Sequence, residues 1–241
     1  MLTILILVSI FIASLSWLQA QDDIYPANDV RDNRPSTYLF ENATIYIDYQ
    51  TKIENASLLI EDGFITASGT NIQAPKGAIK IDLAGKFIYP SFIDLYSNYG
   101  LPPAKKPKPF SYRSREIIYP EKDGAFYVND AIKADYNASE HFSANEETAE
   151  KLRKAGIGTV LTTNRDGLAR GTSALVTLGK SWDNELILQT KAAHQLSFNK
   201  GSSSQTYPIS MMGFMAVIRQ TYYDAKWYAT AKNENFTDNT M

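Results

Sequence analysis

The hydrophobic and polar positions divide this chain into stretches of different period. Residues 2–18 form an almost unbroken apolar run, followed by small Ala20 and polar Gln21-Asp22-Asp23. Residues 21–36 are polar and carry Pro26, Asn28, Asn33 and Pro35, which predicts a linker. From Tyr38 to Tyr49 the pattern alternates as in a half-buried strand. Short strands are predicted at Ser57–Glu61, Phe64–Ser68 and Ile79–Leu83, with Asp62-Gly63 as a hairpin turn. The set predicts a small β-sandwich of short antiparallel strands over residues 37–85. A turn at Ala84-Gly85-Lys86 leads into the apolar run Lys86–Tyr89. Pro90 then kinks the chain, and Phe92–Leu95 follows as a second apolar run broken only by Asp94.

Residues 99–136 show no clear period. Pro102, Pro103, Pro107 and Pro109 surround Lys105, Lys106 and Lys108, which predicts a solvated, extended loop. A docking or polyanion-binding segment is the functional alternative for that loop. The segment 143–155 has the charge order of a helix. Ser143 or Asn145 can cap it, Glu146 and Glu147 fall in its first turn, and Lys151, Arg153 and Lys154 fall in its last. Gly156-Ile157-Gly158 then feeds the β-branched run Thr159–Thr163, the helix-to-strand step that α/β barrels repeat. Because this glycine pair precedes a strand, it is not a phosphate loop, which precedes a helix. Asn164-Arg165-Asp166-Gly167 reads as a turn, with strands expected at 174–178 and 185–189. Residues 210–229 carry Met211, Met212, Phe214, Met215, Ile218, Tyr222 and Trp227 at helical spacing, which predicts a core-facing helix.

Composition narrows the chemistry. The chain contains no cysteine, so disulfides, thiolate nucleophiles and cysteine zinc sites are excluded. With only His141 and His194, a multi-histidine metal cage cannot form within it. A formal net charge of −2 gives no reason to expect nucleic acid as a partner. The run at 2–18 is expected to be a secretory signal within residues 1–20, which places the folded part outside the cytoplasm, periplasmic or secreted. An uncleaved membrane anchor at residues 2–18 is the alternative.

Gly85-Lys86-Phe87-Ile88-Tyr89-Pro90-Ser91-Phe92-Ile93-Asp94 resembles the junction of the metal-dependent amidohydrolase superfamily, in imidazolonepropionase-like and dihydroorotase-like enzymes. Their N-terminal β-sandwich ends in Gly-Lys-x-Ile-x-Pro-Gly-x-Ile-Asp, and the first barrel strand then carries His-x-His. Leu152–Val160 with Asp166-Gly167, and Tyr207–Gly213 through Ile218-Arg219-Gln220, are similar to exported proteins of the same group. The resemblance covers residues 38–230. It implies an α/β fold: a composite β-sandwich, then the first part of an incomplete (β/α)8 barrel over residues 86–241. Residues 86–241 are fewer than the about 250 of a complete barrel, so either a fragment of a longer protein or a barrel that was never completed is expected. The apolar final helix, with no partners to pack on, favours the fragment.

The resemblance also places the family's first two metal ligands on Tyr96 and Asn98, where both histidines are missing. A neutral phenol is a poor zinc ligand, and a lone amide oxygen binds hard cations weakly. No metal is therefore expected in this chain, and zinc only in active relatives. Tyr96 and Asn98 are the candidate ligand-binding positions, against polar packing at a lost site. Asp94 is the candidate supporting residue, against a buried carboxylate bonded to backbone amides. His194 and His141 read as structural and surface residues. No catalytic residue can be named. The implied ancestral activity is hydrolysis of a non-peptide C–N bond, with this chain inactive alone. The alternative is a non-catalytic pseudo-enzyme or accessory module of a larger exported protein. The expected partner is the remainder of the same polypeptide or an active amidohydrolase domain. A plain exported β-rich binding module would leave the step at 143–163 unexplained.

Overall fold

The computed structural model describes residues 37–106, 115–122 and 124–230. The expected signal or anchor, the linker at 21–36 and part of the proline-rich loop lie outside the described residues. No described helix is long and apolar enough to cross a membrane. The chain forms two compact units that divide between Tyr89 and Pro90.

The first unit is a five-stranded sheet of β1 (Thr37–Tyr46), β2 (Lys52–Glu61), β3 (Phe64–Gly69), β4 (Ile79–Asp82) and β5 (Phe87–Ile88). β3, β2 and β1 are antiparallel neighbours, and the Asp62-Gly63 turn joining β2 to β3 has positive φ at both residues, as a tight hairpin requires. The expectation of antiparallel strands throughout fails at β4 and β5. Both run parallel to β1, because the long connection from Gly69 to Ile79 returns the chain to the start of the sheet. Pairing with β1 also draws Phe87-Ile88 into this unit, beyond the boundary expected at residue 85. Asn42 and Asn55 adopt left-handed conformations where the β1–β2 register slips, a geometry asparagine tolerates well. Ala43, Ile45, Ala56 and Leu58 form the core.

The second unit carries a four-stranded sheet in the order β6 (Phe92–Ser97), β7 (Ile157–Thr162), β8 (Ala169–Thr177) and β9 (Ile187–Leu196). β6 and β7 are parallel, joined through α1 (Glu146–Lys154), as the barrel step requires. β8 and β9 then turn antiparallel. Of the two candidate caps of α1, Asn145 is used: its side-chain oxygen accepts the Thr148 amide at 2.8 Å. Glu147–Lys151 and Glu150–Lys154 pair one turn apart along it. Ala149 of α1 joins Tyr99, Phe142, Val160, Val176, Leu178 and Leu186 in the main core.

Three expectations change in this unit. The strand expected at 185–189 begins as a helical turn, α2 (Asp183–Leu186), and β9 follows it. The loop expected to be solvated over 99–136 supplies Tyr99, Ala131 and Ile132 to the cores, so it is anchored at both ends of its described part. The apolar segment at 210–229 forms α3 (Met211–Thr230), but a narrow stripe carries its packing. Phe214, Val217 and Ile218 meet Ala131, Ile132, Leu168 and Ala169, while Met211, Met212, Met215, Tyr222 and Trp227 are exposed. Apolar residues surround this helix, so spacing alone could not say which stripe is covered.

Where β6 enters its pairing with β7, the Phe92 amide donates to the Gly156 carbonyl at 2.8 Å. A side chain at Gly158 would come within 2.8 Å of the Ser91 Cβ and closer still to its hydroxyl. Position 158 therefore makes room for Ser91, the residue standing where the resembling enzymes carry glycine. Gly158→Ala should lower stability by about 1–3 kcal/mol, as overpacking does. Ser91→Gly in the same chain should restore most of the loss. Urea unfolding of the single and double variants checks this, and equal stability of Gly158→Ala and wild type would refute it.

Candidate functional site

Parallel pairing places the C-terminal ends of β6 and β7 side by side, the end at which α/β barrels bind ligands. The Thr163 amide donates to the Ser97 carbonyl at 2.9 Å, and the Thr162 hydroxyl donates to the Tyr99 carbonyl at 2.6 Å. These bonds hold the exit of β6, residues 96–99, against the exit of β7, residues 162–166.

Asp94 is half-buried, and its Oδ1 accepts the Tyr96 amide at 3.0 Å. Tyr96 is 48% exposed and is gripped by two arginines. Arg170, on β8, donates from Nη1 to the Tyr96 phenol oxygen at 2.6 Å and from Nε to the Gly167 carbonyl at 3.1 Å. Arg165, in the turn after β7, donates to the Tyr96 carbonyl at 2.9 Å, with its guanidinium carbon 4.7 Å from the centre of the Tyr96 ring. Asn98 is exposed and does not join this cluster. It lines a separate cavity of about 480 Å³ with His141, Ser143, Asn145 and Thr148. The His141 ring stacks on Tyr136 at 4.4 Å. His194 lies away from both, on β9, where it lines an apolar cavity of about 320 Å³ against Ile218 and Tyr222 of α3.

A larger cleft of about 570 Å³ opens beside Asn164, and its polar lining includes Lys105, Lys133, His141, Asp166, Ser202 and Ser203. Asp166 is its fixed point. Lys133 Nζ lies 2.8 Å from Asp166 Oδ2, the Ser202 hydroxyl donates to the same oxygen at 2.7 Å, and the Ser202 amide donates to Oδ1 at 2.6 Å. Burial pushes the Asp166 carboxyl up, but Lys133 and the two Ser202 bonds outweigh it and hold the group below its ordinary value. The cluster pins the 197–203 loop to the turn after β7. Among the described residues, no group of three or more His, Cys, Asp and Glu side chains could hold a metal ion.

Two residues apart, Tyr96 and Asn98 would share one face of a continuous strand, but β6 ends at Ser97, so Asn98 leaves that face. Sequence reasoning also missed Arg170. Nothing in its local pattern marks it, because it reaches Tyr96 only through the β7–β8 pairing. Asp166 was legible as part of a turn, and its ion pair with Lys133 was not.

No family model matches the chain. It is 44% identical over 62 residues, 26% of its length, to Protein unc-33 of Caenorhabditis elegans, and that match covers 7% of the worm protein. Its fold is similar to that of an amidohydrolase from Thermotoga maritima MSB8, with a TM-score of 0.60 and 22% identity. That similarity covers 84% of this chain and 53% of the other, so the chain spans about half the length of that solved structure. A D-hydantoinase (dihydropyrimidinase) from Thermus sp. is also similar, at 22% identity over 50% of this chain and 24% of the other, with a TM-score of 0.24. The likeness to the Thermotoga structure alone makes the mixed α/β architecture amidohydrolase-like.

The Asp166 cluster yields a pH prediction. A carboxyl held below its unfolded value stabilises the fold above that value, and the contribution fades as pH falls through the folded value. Asp166→Asn should therefore cost about 1–3 kcal/mol at neutral pH, the range for disturbing a buried hydrogen-bonded charge. The gap to wild type should begin to narrow below about pH 4, the ordinary carboxyl range, and narrow further as pH falls. Urea unfolding across pH 3–7 measures both, and a gap that stays constant to pH 3 would contradict the assignment.

Proposed function

We propose that this chain is an amidohydrolase-related module that does not itself hydrolyse a C–N bond. In this reading the first unit corresponds to the family's β-sandwich, and the second to the first part of an incomplete (β/α)8 barrel with a degenerate first-strand ligand pair. The observation that carries the reading is the Arg170–Tyr96 bond of 2.6 Å, with Arg165 over the same ring. A zinc ion bound through Tyr96 would sit beside two permanent positive charges, which oppose it electrostatically. The phenol would also have to lose a proton that normally leaves only near pH 10. Asn98 faces a different cavity and offers one amide oxygen. The residues present therefore do not fit the family's first-strand metal pair.

The accessory role rests on the surface of the second unit. β6 is the edge strand of the described sheet, and Phe92, Ile93 and Leu95 on it are exposed. An apolar edge strand of this kind is a template for further pairing. The proposed occupant is the remainder of the same polypeptide or an active amidohydrolase domain. The apolar segment at 2–18 supports export to the periplasm or outside the cell, with a membrane anchor as the alternative.

The test is metal analysis of the purified full chain after loading with zinc, together with hydrolysis assays on a cyclic amide and a dipeptide. Zinc well below one equivalent and no turnover are expected. One equivalent of zinc with turnover that Asn98→Ala abolishes would overturn the reading.

A further inference from the structure

We infer that Tyr96, Arg165 and Arg170 form a binding site for a carboxylate at the C-terminal end of β6. The inference rests on the metal-free reading of that position and gives it a ligand class.

Arg170 is 8% exposed, yet among the described residues no carboxylate lies within 4.0 Å of it or of Arg165. Among the described residues its guanidinium donates to two neutral oxygens, the Gly167 carbonyl and the Tyr96 phenol. Arginine stays charged at every pH a folded protein meets, so among the described residues this is a buried cation without a counter-charge. Such groups are strongly disfavoured unless something supplies the missing charge. Lys133, a further cation beside the turn after β7, is already matched by Asp166.

The exposed side of the cluster offers donors. The phenol oxygen of Tyr96 accepts from Arg170, which leaves its own O–H to donate outward. Arg165 is exposed and uses one guanidinium nitrogen on the Tyr96 carbonyl, with further N–H groups beyond that bond. Asp94 is the nearest acid along the strand, and its Oδ1 is turned to the Tyr96 amide. Donors backed by two cations match a ligand that only accepts and carries negative charge. A carboxylate fits best, because a planar guanidinium fork and an O–H can share its two oxygens. The carboxylate can come from a free small acid or from an aspartyl or glutamyl side chain of a partner polypeptide.

The test titrates the full chain, treated with a chelator so that metal plays no part, with sodium acetate and with a capped aspartyl tripeptide. Ionic strength is held constant with chloride, and binding is followed by thermal shift and by the arginine side-chain NMR signals. Saturable binding in the millimolar range is expected. Tyr96→Phe and Arg165→Gln alter exposed positions and should preserve the fold, checked by circular dichroism. Each should weaken binding about tenfold or more, the scale of a lost charge-assisted hydrogen bond. Binding of acetate identifies a free acid as the ligand, and binding of the peptide alone identifies a protein carboxylate. No response beyond chloride, or a response unchanged in both variants, overturns the site. Either result leaves the zinc measurement standing, so the two readings fail separately.

Discussion

The parallel pairing of β6 with β7 is the constraint from which the second unit follows. It begins with the Phe92 amide on the Gly156 carbonyl and ends with the Thr163 amide on the Ser97 carbonyl. Antiparallel neighbours could be joined by a two-residue turn, but parallel ones need a crossover, and α1 lies within it. α1 in turn brings Ala149 to the core and, through the Asn145 cap, fixes where the helix starts. The same pairing gathers the turn after β7 beside the exit of β6. Arg165 meets Tyr96 for that reason and no other.

The fold was legible where one segment determines its own structure. The charge order of 143–155, the turn residues Asp62-Gly63 and the β-branched run after Gly158 each specify an element locally, and each formed. It was not legible where partners decide. The direction of β4 and β5 depends on where a nine-residue connection returns the chain, which local pattern does not encode. The apolar residues of α3 surround the helix, so their spacing gives a helix without saying which stripe is covered. Tyr96 was found through the resemblance, whereas Arg170 lies 74 positions away in the chain and enters only through tertiary contact. Asn98 was lost to a single residue of strand length.

Two neighbouring clusters around the turn after β7 resolve their charge in opposite ways. At Asp166, burial is offset by a lysine and by two donors from Ser202, and the result is a pinned loop. At Arg170, burial is met among the described residues by neutral oxygens. The first arrangement balances its charge within the fold. The second leaves its charge on neutral oxygens among the described residues, and the proposed carboxylate site rests on that difference.

The fit of Ser91 against Gly158 carries a consequence for the order in which substitutions could accumulate. A serine at position 91 is accommodated best in a chain whose position 158 lacks a side chain. Once that serine is present, even the smallest side chain at position 158 carries a cost. The two positions are coupled at the root of β6 and β7, so a lineage would regain freedom at one position most cheaply by giving up the other.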